Sequence, residues 1–324
     1  MQGITPKIAA KCISYLLWFN KKGGGAINYN WATHASNYWV CDGIVEGDGQ
    51  FDEPWVVSAA LHQQIRVEDC SFHAINYLYE EYIEHWKSVT TFTSEHGGMT
   101  DITISSKITS FFLTPDNGLY ITLPPEIFQQ SEGLRVLQLS RCNFSFYSPP
   151  FKYCRVLRFL GLDNCQDQHQ EEEDNQRTPT MDCFWSLWVL DISHMDWELG
   201  ISQDVTEQMA ANIREIHIKK GRIWHSNLAW RRLRNLHKLR VTEPTLSWEI
   251  GRKDEFTDMV KLQLLDLSGN EAIQVLPSLH GATSLRSLVL DGCVGLEHVG
   301  PEELPRCLES FSLDVWKGKA NKLI

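Results

Sequence analysis

One phrase recurs along this chain and constrains its fold more than any other feature. An apolar residue is followed after two positions by a second, after one position by a third, and two positions later by a small polar or sulfur side chain. It reads Leu134-Leu137-Leu139-Cys142 and Leu157-Leu160-Leu162-Cys165, then Leu262-Leu265-Leu267-Asn270 and Leu285-Leu288-Leu290-Cys293. Weaker copies are Ile108-Phe111-Leu113, Leu187-Leu190-Ile192, Ile213-Ile216-Ile218, Leu236-Leu239-Val241 and Leu308-Phe311-Leu313. Successive starts are 26, 23, 30, 26, 23, 26, 23 and 23 residues apart. Self-similarity at such a period marks one supersecondary unit stacked on copies of itself.

Within each phrase the second and third apolar residues alternate with residues of opposite facing, as a short strand requires. The first packs beneath them. No single copy can bury its own apolar side, so neighbours must stack. The pattern is that of a leucine-rich-repeat solenoid: an α/β fold with a curved parallel sheet on its concave face. The ninth position, held by Cys142, Cys165, Asn270 and Cys293, falls where the chain turns inward. A side chain there can satisfy turn backbone groups that burial would leave unpaired. Met195, Gly221 and Pro244 take this slot in weaker copies, which predicts less regular turns there.

The net charge of −11 argues against general nucleic-acid binding by the whole chain. The nine cysteines are odd in number, scattered and without a CxxC pair, and three sit in the repeat slot. They read as reduced thiols of an intracellular protein, in the cytoplasm or nucleus. The apolar run Ile8 to Phe19 carries Lys11, lacks a small-residue cleavage site and is too short to span a bilayer.

Residues 1 to about 95 lack the repeat and 96–324 carry about nine copies. The first segment reads as helices over Ile8–Phe19 and Asn30–Val40, a third opened by Pro54 with Val56, Val57, Ala60 and Leu61 inward, a candidate strand Gln64–Val67, and a fourth helix Phe72–Trp86. Its aromatic residues, among them Trp31, His34, Tyr38 and Trp39 near helical spacing, read as core.

Certain phrases add a resemblance. "KCISYLLWF", "ASNYWVCDGIVEG" and "EPWVVSAALHQQIRVED" resemble the end of the winged helix of plant, grass-type nucleotide-binding leucine-rich-repeat disease-resistance receptors. "LPPEIFQQSEGLRVLQLSRCNF" is similar to the repeats of that family. The resemblance implies a winged-helix-like segment joined to repeats that bind a pathogen effector or a host protein in defence. It also implies repeats that restrain a nucleotide-binding domain in a full-length receptor. The family's phosphate-cradling loop, GxxxxGK[ST], has no match here: Gly23-Gly24-Gly25 follows its lysines, and Gly318-Lys319 is followed by Ala320. Where the family carries Met-His-Asp, this chain has Val67, Glu68 and Asp69. The expectation is no cofactor, with ADP or ATP entering only through an upstream nucleotide-binding domain. Two other readings stand beside this one. The first is a substrate-binding repeat subunit of a ubiquitin-ligase complex. The second is an extracellular repeat receptor, for which Asn143 in Asn143-Phe144-Ser145 would be a glycan acceptor.

The exposed strand positions form columns along the sheet, and with strands about 4.8 Å apart, nine give an inner arc of roughly 40 Å. That length suits a protein or peptide partner. The candidate partner-binding residues are Gln138, Phe159, Asp163, Trp188, Asp191, His217, Lys219, Lys238, Arg240, Leu264, Asp266 and Asp291, with Phe159, Trp188 and Leu264 as exposed anchors. Arg214 to Arg240 carries nine Lys or Arg against one acid, Glu215. This band reads as a solvated or internally paired face first, a protein contact second and a nucleic-acid contact last, with the acidic loop Asp167–Asp174 as a candidate internal partner. No HExxH, GxSxG or spaced Cys/His set occurs, and no active site is assigned; His73 near Cys70 reads as incidental.

Overall fold

The computed structural model describes residues 4–22, 29–47, 53–65, 83–89, 104–115, 119–168, 182–197, 203–221, 232–245, 256, 258–300 and 304–314. Two compact units emerge, residues 1–144 with 149–160, and residues 145–148 with 161–324. The helix expected over Phe72–Trp86 lies mostly outside the described residues, as do Gly23-Gly24-Gly25, Gly318-Lys319, His73 and most of the acidic loop; of the strand expected over Gln64–Val67 only Gln64 and Ile65 are described, and Gln64 ends a helix instead.

The first unit opens with α1 (Pro6–Lys22), α2 (Tyr29–Asp42) and α3 (Glu53–Gln64). Its strands are β1 (Trp86–Val89), β2 (Ser110–Leu113), β3 (Ile121–Thr122), β4 (Val136–Ser140), β5 (Cys142–Phe144) and the first two residues of β6 (Phe159–Asp163). Trp86, expected to end a helix, instead begins a strand that pairs in parallel with β2. β2 pairs in turn with β4, Phe111 beside Leu137. That register matches equivalent positions of the phrase.

The helices lie on this sheet. Tyr15 is fully buried, its hydroxyl donating to Ser110 Oγ at 2.9 Å and its ring edge-on to Trp86 at 4.7 Å. Phe19 meets Phe112 at 4.0 Å, and Trp86 Nε1 donates to Asp42 Oδ2 at 3.0 Å. His34, Ala35, Tyr38 and Trp39 form a buried stripe at helical spacing. On α3 the inward residues are Ser58 and Leu61, while Val56 is 68% exposed; Ser58 Oγ donates to Ser36 O, which sets the helix phase. The end of α2 is held from two strand entries: Arg135 donates to Asp42 O at 2.9 Å and Arg158 to Cys41 O at 3.5 Å. Both guanidinium groups sit at the negative end of the helix dipole, beside carbonyls that have no intrahelical partner. Gly43, at φ 79°, closes the helix with Ile44 N–H on Trp39 O and its own N–H on Val40 O.

The second unit holds the rest of β6, then β7 (Gln166–Asp167), β8 (Val189–Ser193), β9 (Glu215–Lys219), β10 (Lys238–Thr242), β11 (Leu264–Asp266), β12 (Ser287–Val289) and β13 (Ser310–Ser312). β8 to β13 pair consecutively, all in parallel. A 26-residue step between phrases accommodates α4 (Gln203–Asn212) between β8 and β9. The structure is a parallel β-solenoid preceded by helices. All nine phrases become strands that begin two residues after the phrase does. Leu187, Ile213, Leu236, Leu262 and Leu285 are 0% exposed, as the first apolar position should be.

Seven of the coils turn the same way. The residue just before the ninth position has positive φ in Arg141, Asn164, His194, Lys220, Glu243, Gly269 and Gly292. Regularity therefore extends to the copies ending in Met195, Gly221 and Pro244. In the second unit the amide of this residue donates to the next coil: Asn164 to Ser193 O, His194 to Lys219 O, Lys220 to Thr242 O, Glu243 to Ser268 O, Gly269 to Asp291 O and Gly292 to Asp314 O, all at 2.7–3.0 Å. The left-handed residue thus adds one rung to the ladder after the strand has ended. The ninth side chain works as expected: Asn270 Nδ2 donates to Val241 O at 2.7 Å and Leu267 O at 2.6 Å, and Cys293 Sγ lies 3.1 Å from Leu267 O.

Two substitutions probe this turn. Asn270→Ala leaves two buried carbonyls short of a donor and should cost about 1–3 kcal/mol. Lys220→Gly removes left-handed strain of about 1–2 kcal/mol but adds unfolded-state freedom, so it should stabilise by about 0.5–1 kcal/mol. Urea unfolding midpoints, with unchanged m-values, check both.

Candidate functional site

The sheet positions named from the sequence divide into buried and accessible sets. In the first unit, Gln138 and Phe159 are buried, at 5% and 0% exposure. Phe159 is therefore no exposed anchor. Its ring packs edge-on against Tyr38 at 4.7 Å and His34 at 5.2 Å, because α2 covers this part of the sheet. The repeat pattern identifies strand positions that point away from the coil core, and here helices fill the space above them.

In the second unit, Asp191 and His217 are also buried, and so is Glu215. Glu215 Oε1 receives Lys238 Nζ at 2.7 Å, and Oε2 lies 3.3 Å from His217 Nε2. The register explains the cluster: Glu215 pairs directly with Lys238 across the sheet, and His217 follows two residues on along the same face. Burial alone would push the Glu215 carboxyl upward, yet Lys238 and the His217 hydrogen bond outweigh it and hold the group well below its usual range. Lys238 is therefore a neutralising partner before it is a contact for anything else.

The remaining positions are half-buried: Asp163, Trp188, Lys219, Arg240, Leu264, Asp266 and Asp291. Asp163 Oδ1 accepts from Ser193 Oγ at 2.8 Å and lies 2.9 Å from His194 Nδ1. Asp291 Oδ1 accepts from Ser312 Oγ at 2.7 Å and from the Asp314 amide at 2.8 Å. Arg240 Nε stands 3.9 Å from Asp266. On β10, buried and half-buried residues alternate strictly, which is the signature of one covered and one open face.

Part of the basic band is taken up by internal pairs, while Arg232 and Arg234 are exposed. Arg214 is buried, Lys220 lies 3.4 Å from Glu243, Lys238 meets Glu215, and Arg240 faces Asp266. Arg222 and Arg231 lie outside the described residues. No helix among the described residues is long and apolar enough to cross a membrane. The Asn143 Oδ1 atom is buried within β5.

The fold is that of a leucine-rich-repeat solenoid. No family model and no curated protein matches the sequence. Among solved structures the chain is similar to the functional domain of InlJ from Listeria monocytogenes, with 14% identity over 66% of this chain and 41% of that one and a TM-score of 0.45. It is also similar to the leucine-rich-repeat domain of the type III effector XopL, with 15% identity over 97% of each chain and a TM-score of 0.41. A leucine-rich-repeat protein of Leptospira interrogans gives 18% identity over 66% of this chain and 56% of that one, with a TM-score of 0.39. The chain thus spans 41% of the length of the InlJ structure.

Replacing Glu215 with Gln tests the buried pair. A carboxyl held below its unfolded value of about 4.3 contributes stability that is present above that pH and is lost as pH falls through the folded value. Glu215→Gln should lower stability at pH 7 by about 1–3 kcal/mol, discounted from a fully buried pair because Lys238 is partly solvated. The gap from the parent chain should narrow progressively below about pH 4.3, as chemical denaturation across pH will report.

Proposed function

We propose that this chain is a protein-recognition module of a plant intracellular immune receptor-like protein, and that its open sheet face captures a pathogen effector or a host protein. The reading draws on the juxtaposition of two features. Phrases resembling the end of a winged helix form three helices at the start of the first unit, and the leucine-rich phrases follow them as a parallel sheet. A half-buried row of mixed charge and apolar side chains on β10 to β13 suits a polypeptide better than a small metabolite. On this proposal residues 1–95 form a winged-helix-like segment and 96–324 the repeats. The repeats act without catalysis, and a nucleotide-binding domain is a second, intramolecular partner where one is present.

The full chain used as bait against the secreted proteins of a grass pathogen should capture one of them. That capture should disappear when sheet-face residues of β10 to β13 are substituted and persist when residues on the opposite side are. Stoichiometric co-purification with a ubiquitin-ligase adaptor, with no effector or host partner captured, would instead favour the ligase-subunit reading.

A further inference from the structure

We infer that the outer edge of β13 is an interface with a second copy of this chain, formed by antiparallel pairing of the two β13 strands about a twofold axis through Phe311. This surface is the edge of the second unit's sheet and is separate from the open face, so it does not depend on what that face binds.

The coil of β13 has an uncovered core. β13 pairs with β12 on one side and, among the described residues, with no strand on the other. Phe311 takes the second apolar position of its phrase, where Leu190, Ile216, Leu239, Leu265 and Leu288 are all 0% exposed, yet Phe311 is 42% exposed. Leu308 and Leu313, at the first and third positions, are half-buried. A coil buries these positions only against a neighbour. The backbone is open on the same side. Ser310 N–H donates to Arg286 O, and Ser312 O accepts from Leu290 N–H, so both serines turn their backbone groups toward β12. Alternation along the strand then turns the N–H and C=O of Phe311 outward, with the N–H of Leu313. An unpaired strand edge beside uncovered apolar side chains is a template for another strand.

Charge points to a second copy as the occupant. Among the described residues flanking the two outermost strands, Arg286 and Arg306 precede β12 and β13, while Asp291 and Asp314 follow them. Glu309 lies on the basic side and is taken up by Arg286 at 3.7 Å. Arg306 and Asp314 are both exposed, and neither the guanidinium nor the carboxylate has an ion-pair partner among the described residues. A twofold axis perpendicular to the sheet keeps both coil cores on one face and brings the basic end of one strand to the acidic end of the other. With Phe311 on the axis, each Phe311 N–H donates to the other copy's Phe311 C=O, and each Leu313 N–H to the other copy's Glu309 C=O. The two Phe311 rings meet as a cross-strand pair, and Ser310 faces Ser312, where small side chains leave room for close approach. Leu308 then falls opposite Asp314 of the second copy. Arg306 lies two residues further, no more than about 7 Å along the chain and within reach of its own side chain. The contact is self-complementary, so it closes at two copies.

Sedimentation velocity of the full chain between about 1 and 100 µM should show a monomer–dimer equilibrium. Phe311→Lys should leave a monomer throughout; thermal melts confirm folding, and Phe311→Ser stands in where lysine does not fold. Arg306→Glu and Asp314→Lys each turn both ion pairs of the dimer repulsive, and each alone should weaken it about tenfold. Mixed in equal amounts, these two variants should associate about as tightly as the parent chain, because both pairs of the mixed dimer join opposite charges. A parent chain that stays monomeric across the range, as occupancy of the edge by other polypeptide would produce, overturns the inference. A dimer indifferent to the Phe311 substitutions overturns it by placing the contact elsewhere. A dimer lost in Phe311→Lys but without rescue on mixing overturns the antiparallel arrangement.

Discussion

Everything in the second unit depends on a hydrogen-bond ladder that outlasts its strands. A three- or five-residue strand offers few backbone groups to its neighbour, and a single coil cannot bury its own leucines. The left-handed residue at each turn adds a further amide to the ladder, always to the equivalent carbonyl one coil on. It also aims the ninth side chain inward, where Asn270 and Cys293 meet carbonyls that water does not reach. Leucine burial supplies the driving force, and the ladder fixes the register in which that burial happens.

Much of this was legible in the sequence, for a simple reason: the repeat reports its own register. Aligning the first apolar residue of each phrase is enough to place Lys238 beside Glu215, because the phrases beginning at Ile213 and Leu236 put both residues two positions in. The buried ion pair could have been read the same way. The regular turns could not, because Lys220 and Glu243 are poor formers of left-handed backbone and only their neighbours impose it. Nor was β1 legible: Trp86–Val89 carries no leucine phrase and joins the sheet through pairing with β2.

The sheet face was legible as a set of columns but not as an open surface. Period-two alternation tells which side chains leave the coil core, and it is silent about what lies above them. In the first unit α1 and α2 lie there, so Phe112 and Phe159 became core residues facing Tyr38. Arg135 and Arg158 follow the first leucine of their phrases, where nothing in the pattern gives them a task. Their grip on the end of α2 depends on a helix far away in sequence. In the second unit, charge pairing closes part of the same face and leaves the last coils accessible.

The non-glycine turns have a consequence for how the stack fails. Lys220 and Glu243 hold a backbone conformation that a detached coil would abandon, whereas Gly269 and Gly292 hold it freely. Neighbouring coils are thus tensioned against one another like staves under a hoop. Loss of one releases the next, so unravelling through the coils turned by Lys220 and Glu243 runs as a block, while the glycine-turned coils behind them come away one at a time.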